Sequence, residues 1–150
     1  MLFLHKVDDQ INKDSTILSH YNFEELLHNK TALVADDDMR NIYALSGVLE
    51  ENGLKVIPAF DGKDALEKLQ ENPGVDIVLM DIMMPEMDGY EAIKEIRKSS
   101  NYKEIPIIAI TAKAMLEDRE KCLEVGASDY ITKPVNIDQL LSLMRVWLYK

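Results

Sequence analysis

A chain of 150 residues with 47% hydrophobic content has the length of one domain and enough apolar material for a sizeable core. Its 27 acidic and 17 basic residues give a net charge of −10 without a cluster of Lys and Arg, which argues against direct contact with nucleic acid. No apolar run approaches the roughly 18 residues of a membrane span, Met1-Leu2-Phe3-Leu4 is too short for a signal-peptide core, and the single Cys122 cannot form an internal disulfide, so a soluble, cytoplasmic chain is expected.

Residues 1–30 are polar and lack a strand pattern, although Leu4, Val7 and Ile11 are spaced like one face of a short helix. They are expected to form a linker or N-terminal helical extension ahead of a domain at 31–150. From Thr31 onward, short runs rich in Val, Ile and Leu alternate with longer stretches of helical period. Strands are expected at 32–35, 54–59, 75–80, 105–110 and 128–131. Between them, Ile42, Leu45, Val48 and Leu49 make one helix stripe, Ala65, Leu66 and Leu69 a second, and Ile93 and Ile96 a third. Leu140, Leu141, Met144, Trp147 and Leu148 share a face of a last helix that runs to the end of the chain, with Asn136 as N-cap and Gln139 as its reciprocal partner. Asn52-Gly53, Asn72-Pro73-Gly74 and a C-cap at Gly126 mark helix ends.

Strands that are apolar throughout and separated by helices mean a parallel sheet covered on both faces, with right-handed crossovers. The expected fold class is therefore α/β, doubly wound, with five parallel strands. Ligands of such sheets bind beyond the carboxyl ends of the strands.

Four of the runs end in polar residues. Val75-Asp76-Ile77-Val78-Leu79-Met80 delivers Asp81, Thr31-Ala32-Leu33-Val34-Ala35 delivers Asp36 and Asp37, Ile107-Ile108-Ala109-Ile110 delivers Thr111, and Asp129-Tyr130-Ile131-Thr132 delivers Lys133 beside Pro134. Together they describe one site. Each pair of carboxylates at about 4 Å costs on the order of 4 kcal/mol at an effective dielectric near 20, so a cation must offset the cluster. Hard carboxylate oxygens, with no cysteine nearby and no histidine after His28, favour Mg²⁺, with Mn²⁺ as the alternative, over zinc or copper. The acid run does not continue as the D-x-D-x-D-G loop of an EF-hand. Asp38 suits an N-cap for a helix beginning near Met39. Met80, Met83, Met84 and Met87 read as core and loop packing rather than soft-metal ligands, and Cys122 as a reduced core or surface thiol.

Asp36-Asp37, Asp81 within the string LMDIMMPEMDG, Thr111-Ala112 and Lys133-Pro134 resemble, in order and spacing, the signature of the bacterial response-regulator receiver domain of chemotaxis type. The separations of 44 residues from Asp37 to Asp81, 30 to Thr111 and 22 to Lys133 match that pattern without an insertion. The wider strings DDDMRNIYALSGVLEENG, DIMMPEMDGYEAI, ITAKAM and ASDYITKPVN are most similar to receivers at the C-terminal end of hybrid sensor histidine kinases. One departure is Ala35, where many members carry Val. The resemblance covers 31–150 and implies a flavodoxin-like sheet of strand order 2-1-3-4-5.

It also implies a role for each residue. Asp81 is the phosphoacceptor, served by a phosphohistidine of a sensor histidine kinase or histidine phosphotransfer domain, or by a hybrid kinase in cis. Asp37 binds Mg²⁺ directly with Asp81 and the main-chain carbonyl of Met83, while Asp36 acts largely through a metal-bound water. Lys133 pairs with Asp81 and then with the phosphoryl oxygens, Thr111 bonds one of those oxygens, and Lys133-Pro134 is a cis peptide. Thr111 and Tyr130 form the switch, read on the face made by the helix after Thr111, the strand at 128–131 and the last helix. The implied protein is a switch of a two-component or phosphorelay system rather than a conventional enzyme, and it assists its own phosphorylation and dephosphorylation.

Two other classes fit less well. A Mg²⁺-dependent phosphatase of the haloacid-dehalogenase type needs a second acid two residues after the nucleophile, where this chain has Met83, and a thioether cannot transfer protons. A receiver that only docks is expected to lack part of the site, whereas all five polar members are present. His5, His20 and His28 are not followed by a phosphohistidine-box pattern. In this family the residues two after the phosphoacceptor and two after the threonine govern water access, here Met83 and Lys113, and bulky Met83 sets an expectation of slow self-hydrolysis. The chain is expected either to stand alone or to be a segment of a hybrid kinase, and its sequence points to no particular oligomer.

Overall fold

The computed structural model describes residues 26–84, 87–112 and 115–149. The expectations placed on Leu4, Val7, Ile11, His5, His20 and Lys113 lie outside these residues. Among the described residues, five strands, β1 (Thr31–Ala35), β2 (Lys55–Ala59), β3 (Ile77–Asp81), β4 (Ile107–Thr111) and β5 (Asp129–Thr132), alternate with five α-helices, α1 (Met39–Glu51), α2 (Gly62–Glu71), α3 (Gly89–Lys98), α4 (Leu116–Glu124) and α5 (Ile137–Tyr149). Every strand pair is parallel and the order is β2-β1-β3-β4-β5. Pro58 is tolerated because β2 is an edge strand, where no ladder donor is needed on the outer side.

Successive strand residues point to opposite faces of the sheet, and both faces are apolar. Leu33, Val78, Met80, Ile107 and Ala109 meet α2, α3 and α4 on one side. Ala32, Val34, Ile77, Leu79, Ile108 and Ile110 meet α1 and α5 on the other. The site is positioned by where β3 and β4 stop. Both run one residue further than the expected strands and start two residues later. Just before β3, Asp76 is tied to the start of β1, donating its N–H to the Thr31 carbonyl (2.8 Å) and accepting the Thr31 N–H on Oδ2 (2.8 Å). At the far end, Asp81 and Thr111 remain in the ladder, paired with Ile110 and Thr132. The site acid and hydroxyl therefore sit on strand backbone rather than on a loop.

The chain joins the fold ahead of Thr31. Leu27 is 0% exposed and packs in the α1–α5 layer with Leu49 and Met144. Asn29 takes a positive φ of 65° and donates its N–H to the Gly53 carbonyl (2.8 Å), which turns the chain into β1. At the other end of α5, the Trp147 indole N–H donates to Asp129 Oδ2 (3.1 Å) at the start of β5. Asn136 caps α5 by accepting the Gln139 N–H (2.9 Å).

The turn from α4 to β5 is fixed by Gly126, whose φ of 116° suits glycine. The half-buried Arg97 side chain packs on it, its guanidinium donating to the carbonyls of Gly126 (2.8 Å), Tyr102 (2.9 Å) and Lys103 (3.1 Å). Cys122 is buried in the core, where burial raises its thiol pKa and keeps it protonated. Among the described residues, no helix is long and apolar enough to cross a membrane.

Candidate functional site

The three acids meet at the carboxyl edge of the sheet. Asp36 follows β1, Asp81 ends β3, and one carboxylate oxygen from each of Asp36, Asp37 and Asp81 lies within 4.8 Å of the others. Asp36 and Asp81 are buried and Asp37 is exposed. Asp38 diverges from the cluster. It caps α1 by accepting the Arg40 N–H (2.9 Å) and pairs with the Arg40 guanidinium on the surface.

Local sequence explains how each carboxylate is held. Asp36 Oδ1 accepts the Asp38 N–H (2.8 Å), closing an Asx-type turn between strand and helix, and its Oδ2 accepts the Asn41 side-chain amide (3.1 Å). Asp81 Oδ1 accepts the Met83 N–H (3.1 Å) in the same manner. Beyond it, Asp88 caps α3 by accepting the Glu91 N–H (3.0 Å), and Gly89 passes so close to the Asp81 carbonyl and the Ile82 backbone that a Cβ would collide with both. The Asp-Gly pair of the loop is thus a packing requirement of the site.

Lys133 enters from the end of β5 beside a cis Lys133-Pro134 bond. Its ammonium lies 3.3 Å from Asp81 Oδ2 and 3.7 Å from Asp36 Oδ2. Thr111 is buried at the end of β4, and its carbonyl accepts the Lys133 N–H (2.8 Å), which ties the two strand ends together. Met83 stands 58% exposed at the mouth, unlike the buried Met80 and Met84. Tyr130 is half-buried, and the Arg119 guanidinium lies 4.7 Å over its ring.

Electrostatically the site is underneutralised, with one ammonium facing three carboxylates. Burial is the largest influence on Asp81 and raises its pKa from 3.8 to about 6; the Met83 N–H opposes that rise, the neighbouring Asp36 charge adds to it, and Lys133 opposes it. An all-oxygen donor set with surplus negative charge and an open side fits a small hard divalent cation that keeps several waters.

The model of the response regulator receiver domain matches residues 32–145. The chain belongs to this family. As a receiver domain of two-component systems it has solved structural neighbours, among them the receiver domain of a sensor histidine kinase from Pseudomonas aeruginosa with a magnesium ion coordinated in its active-site cleft. That structure is 34% identical, covers 81% of this chain and 99% of the other, and gives a TM-score of 0.75. A probable cyclic di-GMP phosphodiesterase of Vibrio cholerae is 40% identical over 86% of this chain, and the sensor histidine kinase GacS of Pseudomonas protegens is 35% identical over 83%. The receiver spans only 29% and 14% of those two proteins.

The structure brings together all the site residues expected from the sequence that it describes, Asp36, Asp37, Asp81, Met83, Thr111 and Lys133, and sets Tyr130 one strand away on β5. Sequence reasoning missed Asn41 and Arg119. Asn41 carried a weak signal, since the first turn of the helix after an acid pair faces back toward the strand end. Arg119 carried none, because a charged residue on an exposed helix has no period that points to an aromatic ring on the next strand.

Proposed function

We propose that this receiver accepts a phosphoryl group on Asp81 from a phosphohistidine of a sensor histidine kinase or histidine phosphotransfer domain, free or in cis. The observation that carries the reading is the Asp81 carboxylate itself: buried, oriented by the Met83 N–H, contacted by Lys133, and clustered with Asp36 and Asp37. One Asp81 oxygen attacks phosphorus, the phosphorus–nitrogen bond of the donor breaks, and the imidazole leaves with its electron pair and takes up a proton. Phosphoryl transfer of this kind needs positioning and charge neutralisation more than covalent help.

Each residue has a part in that. Asp37, Asp81 and the Met83 carbonyl would hold Mg²⁺, with Mn²⁺ as a substitute, and Asp36 would reach it through water. When bound, the ion supplies neutralisation of the phosphoryl oxygens. Lys133 passes from Asp81 to one of those oxygens and Thr111 bonds another. Movement of Thr111 makes room for Tyr130, which alters the face built from α4, β5 and α5. The output is a change of surface, so the chain acts as a switch rather than an enzyme with turnover. Met83, exposed at the mouth, offers no group to orient water, and with Lys113 it sets a slow self-hydrolysis. The residues ahead of Leu27 serve as a linker or extension, while Leu27 itself belongs to the core of the domain.

The test is incubation with Mg²⁺ and acetyl phosphate followed by intact-mass measurement. Wild type is expected to gain one phosphoryl adduct and Asp81→Asn none. Absence of an adduct on wild type, or its persistence on the variant, overturns the reading. Rapid loss of label from purified phosphoprotein in Mg²⁺ buffer refutes the slow-hydrolysis part alone.

A further inference from the structure

Asn41 is the third residue of α1 and the only member of that helix whose side chain bonds a site acid among the described residues. Its amide donates to Asp36 Oδ2 (3.1 Å), the oxygen that also lies 3.7 Å from the Lys133 ammonium. Lys133 in turn is nearer to Asp81 Oδ2, at 3.3 Å. One ammonium is therefore shared unequally between two buried carboxylates. A lysine head is a point charge on a flexible stem, so its position follows the acceptor with the greatest unmet demand.

The remaining hydrogen bonds show what sets that demand. Asp36 Oδ1 is engaged by the Asp38 N–H (2.8 Å), whereas on Oδ2 the neutral partner is Asn41. Without the amide, a buried carboxylate oxygen would have Lys133 as its nearest donor and would draw the ammonium off Asp81. A cationic side chain in the place of Asn41 would also engage the oxygen, but it would cancel a charge that a divalent ion needs. A neutral donor holds Asp36 in place and leaves the surplus negative charge of the site intact. The cavity beside the site, about 250 Å³, has the same arrangement: its polar lining is Asp36, Asn41 and Lys133, and the rest is apolar.

We infer that Asn41 is a positioning residue of this site: its side-chain amide fixes the Asp36 carboxylate and leaves Lys133 on Asp81, and through both it sets the affinity for Mg²⁺. The inference rests on the acidic cluster being the metal and acceptor site proposed above.

The experiment compares the full chain carrying Asn41→Leu, which removes the donor at similar volume, with Asn41→Gln, which restores an amide. Mg²⁺ binding is measured by calorimetric titration with MgCl₂, and the Mg²⁺ dependence of phosphorylation by acetyl phosphate is measured in parallel. Asn41→Leu is expected to weaken Mg²⁺ binding about three- to tenfold, as loss of one hydrogen bond of ordinary net strength would. Its half-saturating Mg²⁺ for phosphorylation rises by the same factor, and Asn41→Gln recovers most of the affinity. Unchanged Mg²⁺ affinity in Asn41→Leu overturns the inference, and so does equal weakening in both variants, which would make the position and not the donor responsible. If Asn41→Leu melts well below wild type, Asn41→Ala takes its place with the same two readings. Failure of the phosphoacceptor proposal looks different: wild type then binds Mg²⁺ yet gains no phosphoryl group.

Discussion

Replacing Asp81 by Asn should make the metal-free protein more stable at neutral pH. The folded-state pKa of Asp81, raised chiefly by burial, is about 6 against an ordinary 3.8. The fold thus favours the protonated acid. Its contribution is fully present below pH 3.8 and is lost as pH rises through 6, so above that the ionised group opposes folding. A displacement of about two pH units corresponds to about 3 kcal/mol. Asn keeps the size and can still accept the Met83 N–H, while Lys133 loses one partner but retains Asp36 at 3.7 Å. The net gain at pH 7.5 is therefore expected at about 1–3 kcal/mol. Urea unfolding in EDTA, followed by the fluorescence of Trp147, reads it directly. The gain should shrink through pH 6 and vanish near pH 4. Mg²⁺ should reverse the order, since an ion at about 1,000 times its dissociation constant adds about 4.1 kcal/mol to wild type. An Asn variant less stable than wild type at pH 7.5 without metal, or a gain that does not fall with pH, would refute the account of the site as underneutralised.

Three further outcomes follow from packing. Leu27→Ala removes a fully buried side chain from the α1–α5 layer and should cost about 2–5 kcal/mol in denaturant unfolding; a loss below 1 kcal/mol would mean that the segment before β1 is not part of the fold. Arg97→Met leaves the carbonyls of Gly126, Tyr102 and Lys103 without their donor and should cost about 2–3 kcal/mol, with little recovery in Arg97→Lys because an ammonium cannot span the same acceptors; equal stability of the lysine variant and wild type contradicts this. Gly89→Ala pushes α3 away from the Asp81 backbone and should weaken Mg²⁺ binding as well as stability, so a calorimetric affinity equal to that of wild type would show that the close approach is irrelevant to the site.

Much of the fold was legible because its signals are local and repeated. Apolar runs closed by Asp, Thr or Lys marked the strands and their polar ends, and Asp38, Asn136 and Gly126 mark helix boundaries by chemistry that needs no tertiary context. The start of β3 is displaced because Asp76 is held by long-range bonds to Thr31, which no local pattern announces, and β4 begins after Pro106, which has no N–H to donate to a ladder. Leu27 falls in the stretch read as linker since the short pair Leu26-Leu27 ahead of β1 does not by itself set a strand or helix pattern; only the gap between α1 and α5 makes it core. At the site, composition and spacing located the acids and the lysine. They were silent on the sharing of Lys133 between Asp81 and Asp36, which depends on distances of 3.3 and 3.7 Å.

The bond from Trp147 to Asp129 places the last turn of α5 at the beginning of β5, and Leu27 enters beside Met144 near that same turn. Entry and exit therefore share one pole of the molecule, while the acids, Lys133 and the exposed Met83 occupy the opposite one. At the described ends, Leu27 and Tyr149, the chain thus enters and leaves on the side away from the acidic mouth. Such a module can be spliced into proteins of different length without rebuilding its front, which suits a domain that fills 29% of one relative and 14% of another.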